Sequence, residues 1–367
     1  MTASDSLPAA DHRDGPVCAT DLAPDLMHII LFGPGTGEGI VIVLPDGSVG
    51  VVDGVCGDQL TTLLDELKVS KAGGKQLLFA CLTHPHSDHY AGFAALVRDR
   101  RPTHLWWAGD EELRFFEAFC AVMKHREGES PRHAGAAPPK WMGIDAVRVA
   151  IEDSFKNERP GTRHRVLSDR KRLLVHAGVV FESILPTTSE KLQALRELIA
   201  RGSRESASRD GEKVNDLSGA LLLSWAGKQI LLGGDCNAGS EEQHHGWAGH
   251  GETIGQVQIL KAPHHGSETA WHEASYKEWK PAVVLLTPFQ RAGVHQPPKP
   301  EEIDQLRPYC PRMFMSTPKD WQLSKLAAEG FEDARVPLTA SSGVIRVSVD
   351  ASGTIKQIAL HGAAHEI

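Results

Sequence analysis

A short run of the sequence, His84-Pro85-His86-Ser87-Asp88-His89, places three histidines and an aspartate within six residues. On an extended segment His84 and His86 project to the same side, so both imidazoles can reach one metal ion. Asp88 and His89 add an oxygen and a nitrogen donor, although Asp88 could also cap a helix that begins near residue 91. Because histidine is the commonest side-chain ligand of metals, the run predicts a metal site rather than a chance group of surface histidines.

The elements around this run predict where it lies in the fold. Residues 76–82 are an apolar run typical of a buried strand, so the histidines follow the carboxyl end of that strand. Asp53 also ends a predicted strand, and Gly234-Asp235 follows another at residues 229–232. A second histidine pair, in Pro263-His264-His265-Gly266-Ser267, comes after residues 252–260.

Alternating strands and helices are predicted along most of the chain. The strands are predicted at residues 27–32, 39–44, 48–52, 76–82, 103–107, 178–185, 218–225, 229–232, 282–287, 343–349 and 354–360. The helices are predicted at residues 60–67, 91–98, 110–125, 189–201 and 300–306. Residues 127–172, rich in Gly, Pro and charge, predict a surface insertion without regular structure. This order favours a four-layer α/β sandwich over one continuous parallel sheet.

The composition is typical of a globular protein. The 367 residues, 41% hydrophobic and 23% charged, can build one large α/β domain or two modest ones. A net charge of −8 disfavours nonspecific coating of nucleic acid, which needs clustered Lys and Arg. The six cysteines show no C-x-x-C spacing, and no apolar run of about 18 residues predicts a membrane helix. We expect a soluble cytoplasmic protein, with residues 1–24 as a flexible leader and residues 25–362 as the folded domain.

The run at residues 84–89 resembles the signature motif of the metallo-β-lactamase superfamily, and further motifs follow in that family's order. Gly234-Asp235 resembles the family's glycine-aspartate, whose carboxylate bridges two metals, with a plain turn aspartate as the alternative. His264-His265-Gly266-Ser267 resembles the last motif of the hydrolase domain of ComEC-type DNA-uptake channels, and leaves open which histidine is the ligand. The resemblance covers about residues 27–360 and leaves residues 105–180 as an insertion. It implies the family's four-layer αββα sandwich.

One metal position departs from the wider superfamily. The resemblance implies a histidine ligand shortly before Ser218, but Asn215 or Asp216 stands there, and residues 177–234 contain no histidine. ComEC-type sequences commonly carry asparagine at this place, so the resemblance implies Asn215 as a ligand, with His176 as an alternative. Oxygen donors weaken selection for zinc and favour harder ions such as manganese.

The resemblance therefore implies a metal-dependent hydrolase with one or two divalent ions, zinc or manganese. The implied ligands are His84, His86, Asp88, His89, Asn215, Asp235 and His264. A hydroxide formed from a water of lowered pKa would attack the substrate, oriented by Asp88 and Asp235. His265 or His295 would protonate the leaving oxygen as the general acid.

The ComEC-type likeness implies a phosphodiesterase or nuclease with a nucleic-acid or nucleotide substrate. Fold alone does not fix function, so two alternatives stay open. One is hydrolysis of a thioester, lactone or lactam, and the other is a regulatory subunit with an incomplete metal site. The sequence names no protein partner.

Three further features have open interpretations. The basic residues within 159–172 could contact phosphates of a substrate, although a solvated charged loop is the more common meaning. Nearby tryptophans could stack on bases or belong to the core; they are Trp106, Trp107 and Trp141. Glu38 follows Gly37 where ComEC-type domains have an aspartate, and it is left without a role.

Overall fold

The computed structural model describes residues 7–33, 37–54, 58–69, 74–128, 140–156, 162–201, 215–289, 297–318 and 343–367. Within these ranges two β-sheets pack face to face, and helices cover both outer sides. This arrangement confirms the predicted four-layer αββα sandwich.

The first sheet has nine strands among the described residues. They are β1 (Ala10–Arg13), β2 (Met27–Gly33), β3 (Gly39–Val43), β4 (Val49–Val52), β5 (Phe79–Leu82), β6 (His104–Trp107), β7 (Arg163–Val166), β15 (Gly343–Val349) and β16 (Ile355–His361). Their spatial order is β1-β16-β15-β2-β3-β4-β5-β6-β7. The strands from β4 to β7 pair in parallel, so the carboxyl ends of β4 and β5 lie at one edge of the sheet.

The second sheet has eight strands in the described part of the chain. They are β8 (Lys171–His176), β9 (Val179–Leu185), β10 (Ala220–Trp225), β11 (Lys228–Leu232), β12 (Ile259–Lys261), β13 (Val283–Leu286), β14 (Met313–Met315) and β17 (His365–Glu366). Their spatial order is β17-β14-β13-β12-β11-β10-β9-β8. The strands from β11 to β14 are parallel, so the loops after β11, β12 and β13 leave from the same edge. In parallel α/β sheets this edge is where ligands bind.

The helices bury one face each against a sheet. The described helices are α1 (Asp58–Glu66), α2 (Ser87–Tyr90), α3 (Phe93–Arg100), α4 (Arg114–Gly128), α5 (Lys140–Lys156), α6 (Thr188–Arg201), α7 (Gly246–His250), α8 (Glu273–Trp279) and α9 (Pro300–Leu306). Leu63 of α1 and Phe116 of α4 pack on the first sheet, whereas Trp247 of α7 and Ile303 of α9 pack on the second. No helix of the described residues has the length and apolar character needed to cross a bilayer.

The core between the sheets follows from the two-residue period of the strands. On β2, Ile29 and Leu31 face the other sheet, while Ile30 and Phe32 face the helices. Trp106 is fully buried between the sheets, where its ring stacks on that of Phe79 with centroids 4.5 Å apart. Trp107 faces the helices and is also buried. Both rings therefore belong to the core, while the side chain of Trp141 lies outside the described residues.

The structure corrects the expectation that residues 127–172 lack regular structure. They contain α5, β7, the turn between β7 and β8, and the start of β8. Ile144, Val147 and Ile151 bury one face of α5 against the first sheet, at the spacing of three and four residues that a helix requires. The basic side chains of residues 163–172 lie on strands β7 and β8 and the turn between them, and Arg159 lies outside the described residues.

The expected flexible leader also contains a strand. Residues Ala10–Arg13 form β1, which pairs in parallel with β16 at the edge of the first sheet. Its side chains are exposed or half-buried, so the segment lacks the apolar alternation by which strands are predicted.

Candidate metal centre

Side chains that follow five strands meet at one edge of the sandwich. Asp53 follows β4, and the run His84–His89 follows β5, its neighbour in the first sheet. Asp235 follows β11, His265 follows β12 and Thr287 follows β13, which are neighbours in the second sheet. The parallel pairing of these strands therefore brings residues separated by more than 200 positions into one cluster.

The first of two ligand groups in this cluster comprises Glu38, His89, Asp235 and His265, and we call it the His89 group. One potential ligand atom from each lies within 4.8 Å of all the others. The Nε2 atoms of His89 and His265 lie 3.3 and 3.4 Å from Asp235 Oδ2. Asp88 Oδ2 lies 3.7 and 3.4 Å from the same two nitrogens. Two imidazoles and two carboxylates thus converge on one point.

Each imidazole of the His89 group has a hydrogen-bond partner at Nδ1, on the side of the ring away from the centre. His89 Nδ1 lies 2.8 Å from Asp53 Oδ2, and His265 Nδ1 lies 2.8 Å from the carbonyl oxygen of Thr287. Nδ1–H donates in both contacts, so Nε2 is the nitrogen of each ring that faces the centre and could bind an ion. Asp53 is fixed in turn by the backbone N–H of Thr83, 2.8 Å from its Oδ1.

The orienting role of Asp53 was not predicted from the sequence. Its position at the end of β4, beside the strand that carries the histidine run, was the available signal. Asp53 also has a left-handed backbone, with φ of 61°. Such a conformation is uncommon for residues other than glycine and often marks a functional site.

The second ligand group comprises His84, His86 and Asp235, and we call it the His84 group. His84 Nε2 lies 3.1 Å from His86 Nδ1 and 3.7 Å from Asp235 Oδ2. The two imidazoles therefore face the same point, as their spacing predicts. Asp235 is common to both groups, which is the arrangement that a carboxylate bridging two ions requires.

The two adjacent histidines of the 263–266 turn point to different partners. Both have left-handed backbones, with φ of 45° at His264 and 56° at His265. Asn215 Nδ2 donates to His264 Nε2 at 2.9 Å, and the other ring nitrogen lies 2.7 Å from Thr269 Oγ1. His265, by contrast, belongs to the His89 group. His264 and Asn215, both expected as ligands, are hydrogen-bonded to each other, and His264 is in neither group; His295 lies outside the described residues.

In the absence of a cation, burial and neighbouring charges shift the pKa values of the residues of the centre. Burial would raise the pKa of Asp235, but His265 and His89 hold it well below its usual range. Burial lowers the pKa of His265, whereas Asp235 and Asp88 raise it to about 9. Burial and the neighbouring His89 lower the pKa of His84. Protons therefore sit on the His89 group in the metal-free protein, and a cation that binds there must displace them.

Unpaired polar atoms show that the residues fit a divalent cation. His89 Nε2 and Asp235 Oδ1 are buried, and neither has a hydrogen-bond partner within the described residues. An unsatisfied buried polar atom costs about 1–3 kcal/mol, which a bound ion would offset. Imidazole nitrogens and carboxylate oxygens are donors that zinc accepts, and the oxygens also suit manganese.

Two glycines allow the loops of the centre to approach closely. A Cβ on Gly37 would lie 2.6 Å from the carbonyl oxygen of Asp88. A Cβ on Gly234, which has φ of 53°, would lie 2.4 Å from the carbonyl oxygen of Gly219. Larger residues at these positions would push Glu38 and Asp235, the residues that follow them, out of place.

Comparison with known proteins gives one family match. The model of the metallo-beta-lactamase superfamily matches residues 33–151, the part of the chain that contains the His84–His89 run. No curated protein matches the chain.

Several solved structures share a distant likeness. Zn(2+)-bound PqqB from Methylobacterium extorquens is 11% identical, with a TM-score of 0.34 over 64% of this chain and 71% of that one. Rm3 metallo-beta-lactamase is 14% identical, with a TM-score of 0.32 over 89% and 92%. MEM-A1, a subclass B3 metallo-beta-lactamase from a soil metagenome library, is 9% identical, with a TM-score of 0.32 over 90% and 89%. The family match is confined to residues 33–151, and the closer likeness to ComEC-type domains stays a prediction.

Proposed function

We propose that this protein is a metal-dependent hydrolase of phosphodiesters, with a nucleic acid or a nucleotide as substrate. The observation that carries the proposal is the convergence of Nε2 of His89 and His265 with the carboxylates of Asp88 and Asp235. The His84 group adjoins this point through the shared Asp235.

The proposed ligands are the histidines and the aspartate of the two groups together with Asp88. Divalent ions held there would supply Lewis acidity and a hydrolytic water of lowered pKa. Asp88 and Asp235 would orient that water, since their carboxylates face the converging nitrogens. Zinc or manganese fits the mixed nitrogen and oxygen donors.

The proton donor to the leaving oxygen is a separate part of the proposal. His265 Nε2 faces Asp88 and Asp235, and its Nδ1 is engaged by Thr287, so His265 is better placed to hold an ion than to transfer a proton. His295 is therefore the proposed general acid.

The choice of a phosphodiester has two supports. One is the likeness of His264-His265-Gly266-Ser267 to the ComEC-type hydrolase motif. The other is the pair of carboxylates at the His89 group, where Asp88 and Asp235 face Nε2 of His89 and His265. Oxygen donors suit the harder ions that polarise phosphoryl oxygens.

The test is an activity assay of the purified protein with manganese or zinc. The substrates are a bis-aryl phosphodiester, single-stranded DNA, plasmid DNA and a lactam. We expect turnover of the phosphodiester and of at least one form of DNA, and its loss in Asp88→Ala. His176→Ala is the matched control, because His176 binds Asp46 away from the centre.

The outcomes separate the competing functions. Turnover of the lactam without the phosphodiester would assign the centre to carbonyl substrates. Metal binding without turnover of either would favour a regulatory subunit. Full activity in Asp88→Ala would show that this centre does not perform the reaction.

A further inference from the structure

A buried ion pair lies directly beside the metal ligands and has no role in the proposed reaction. Lys261, the last residue of β12, has no solvent exposure, and its Nζ lies 2.7 Å from Glu38 Oε2. Glu38 is also buried. A buried charge is retained at a high desolvation cost and needs a compensating partner. Each side chain here supplies that partner to the other.

Glu38 lies on the Nδ1 side of the imidazoles of His89 and His265, not on the Nε2 side that faces the centre. Its carboxylate oxygens lie 3.8 Å from His89 Nδ1 and 3.6 Å from His265 Nδ1, the nitrogens already engaged by Asp53 and Thr287. Glu38 Oε2 accepts hydrogen bonds from Thr287 Oγ1, at 2.5 Å, and from Lys261. Although Glu38 is close enough to count among the potential ligands, its carboxylate is engaged by these donors.

Lys261 connects this pair to the shared carboxylate. Its Nζ donates to the carbonyl oxygen of Gly234 at 2.9 Å and lies 3.8 Å from Asp235 Oδ1. Lys261 therefore places a positive charge beside the carboxylate that both ligand groups use.

We propose that Glu38 and Lys261 are positioning residues that set the cation affinity of the centre. Lys261 fixes the Gly234-Asp235 turn and keeps Glu38 away from the ions. Glu38 neutralises Lys261, so the ammonium does not compete with cations for Asp235. The inference rests on the proposed metal centre but not on its substrate.

The pair predicts opposite effects for its two single variants. In Glu38→Gln the ammonium is no longer neutralised, and zinc affinity should fall by roughly tenfold or more, since one added charge near the site acts directly on a divalent ion. In Lys261→Met the negative charge of Glu38 is left beside the centre, so zinc affinity should rise while the metal-free protein melts at a lower temperature. In the double variant the two charges are removed together, and affinity should return to within about threefold of wild type.

The experiment measures zinc and cobalt affinity of the metal-free full chain by competition with a chromophoric chelator. Thermal melting with and without metal is recorded for each variant. Glu38→Asp retains the charge and should lose less zinc affinity than Glu38→Gln, which tests the pair even where Lys261→Met fails to fold. Lys277→Met removes an exposed pair with Glu273 and is the matched control.

The outcomes are distinct from those of the proposed function. Wild-type protein that binds no metal would end the proposed function itself. Wild-type protein that binds metal, with all three variants weakened alike, would reduce the pair to a packing role and overturn the inference. Opposite signs for the two single variants, with recovery in the double variant, would support it.

Discussion

The two ligand groups share Asp235 but differ in how their histidines are held. In the His89 group, each Nδ1 has an anionic or carbonyl acceptor, Asp53 for His89 and the Thr287 carbonyl for His265. In the His84 group, the hydrogen-bond partners of His84 Nδ1 among the described residues are hydroxyls, Thr83 Oγ1 at 3.1 Å and Ser218 Oγ at 3.3 Å. Since such partners orient a ligand and raise its basicity, we expect the His89 group to bind its ion more tightly.

The groups also differ in exposure. Both histidines of the His89 group are buried, whereas in the His84 group His84 is buried and His86 is only partly covered. The His84 group is therefore the more accessible of the two, at His86. We expect an ion held there to exchange faster than one at the His89 group.

Removal of the shared ligand should have the largest effect. Asp235→Ala takes a carboxylate from both groups, so metal content and hydrolysis should each fall by more than about a hundredfold. Elemental analysis after gel filtration and the phosphodiester assay measure the two losses. Asp46→Ala, an exposed carboxylate at the far hairpin, should change neither. Retention of one tightly bound ion in Asp235→Ala would contradict the claim that Asp235 is a ligand in both groups.

Substitution of each of the two adjacent histidines gives a matched pair of variants. His265→Ala removes a ligand of the His89 group, so the tighter ion should be lost. His264→Ala removes a side chain that bonds Asn215 and Thr269, so the tighter ion should stay. Native mass spectrometry of the two variants at equal zinc concentration compares them directly. The reverse result would make His264 the ligand, as the sequence alone allowed.

Loss of the orienting carboxylate should weaken the tighter site without removing a ligand. Asp53→Asn keeps the shape of the side chain but not its charge, and the affinity of the His89 group should drop about 10–100-fold. Chelator competition measures it. A variant that binds as tightly as wild type would show that the anchoring of His89 does not distinguish the two groups.

The pH dependence should differ in sign between the metal-free and the metal-bound protein. The folded-state pKa of His265, about 9, lies above the ordinary histidine value. Its contribution to stability is therefore complete below about pH 6.5 and is lost as the pH rises through about 9. Zinc affinity should rise over the same interval, because binding releases the proton. Melting curves of metal-free protein from acidic to alkaline pH, with His265→Ala as the control, would detect the effect.

The smallest expected change is an increase in the zinc affinity of the weaker site. Asn215→His would supply the nitrogen donor missing from the His84 group, and zinc affinity of the weaker site should increase by up to about tenfold. The new imidazole would also lose the hydrogen bond that Asn215 gives to His264. Two-phase zinc titrations of the variant and the wild type compare the weaker phase. An unchanged weaker phase would mean that residue 215 does not face that ion.

Much of the fold could be predicted because the strands that carry the site are strongly apolar. The hairpin of β3 and β4, the strand before the histidines and the final hairpin of β15 and β16 are confirmed. The failures have physical reasons. β1 is exposed, so it has no alternation, and the buried face of α5 is diluted by charged neighbours and by the Gly- and Pro-rich sequence around it.

The site was less predictable than the fold. The His84–His89 run is local, so its spacing alone indicates its chemistry. Asp53, Glu38 and Lys261 act through contacts with residues far along the chain, and no local pattern shows them. Lys261 even ends an apolar strand, where a lysine would be expected to reach solvent. The choice between His264 and His265 depends on the left-handed turn they share, which the sequence does not encode in its spacing.

The number of bound ions decides whether two ligand groups share Asp235. Metal-free wild-type protein is titrated with cobalt, and the bound ions are counted by native mass spectrometry while the visible spectrum is recorded. We expect about two ions per chain, bound in two unequal steps, with the tighter step absent in His265→Ala and both absent in Asp235→Ala. No bound ion in the wild type, or two steps that survive both substitutions, would contradict this expectation.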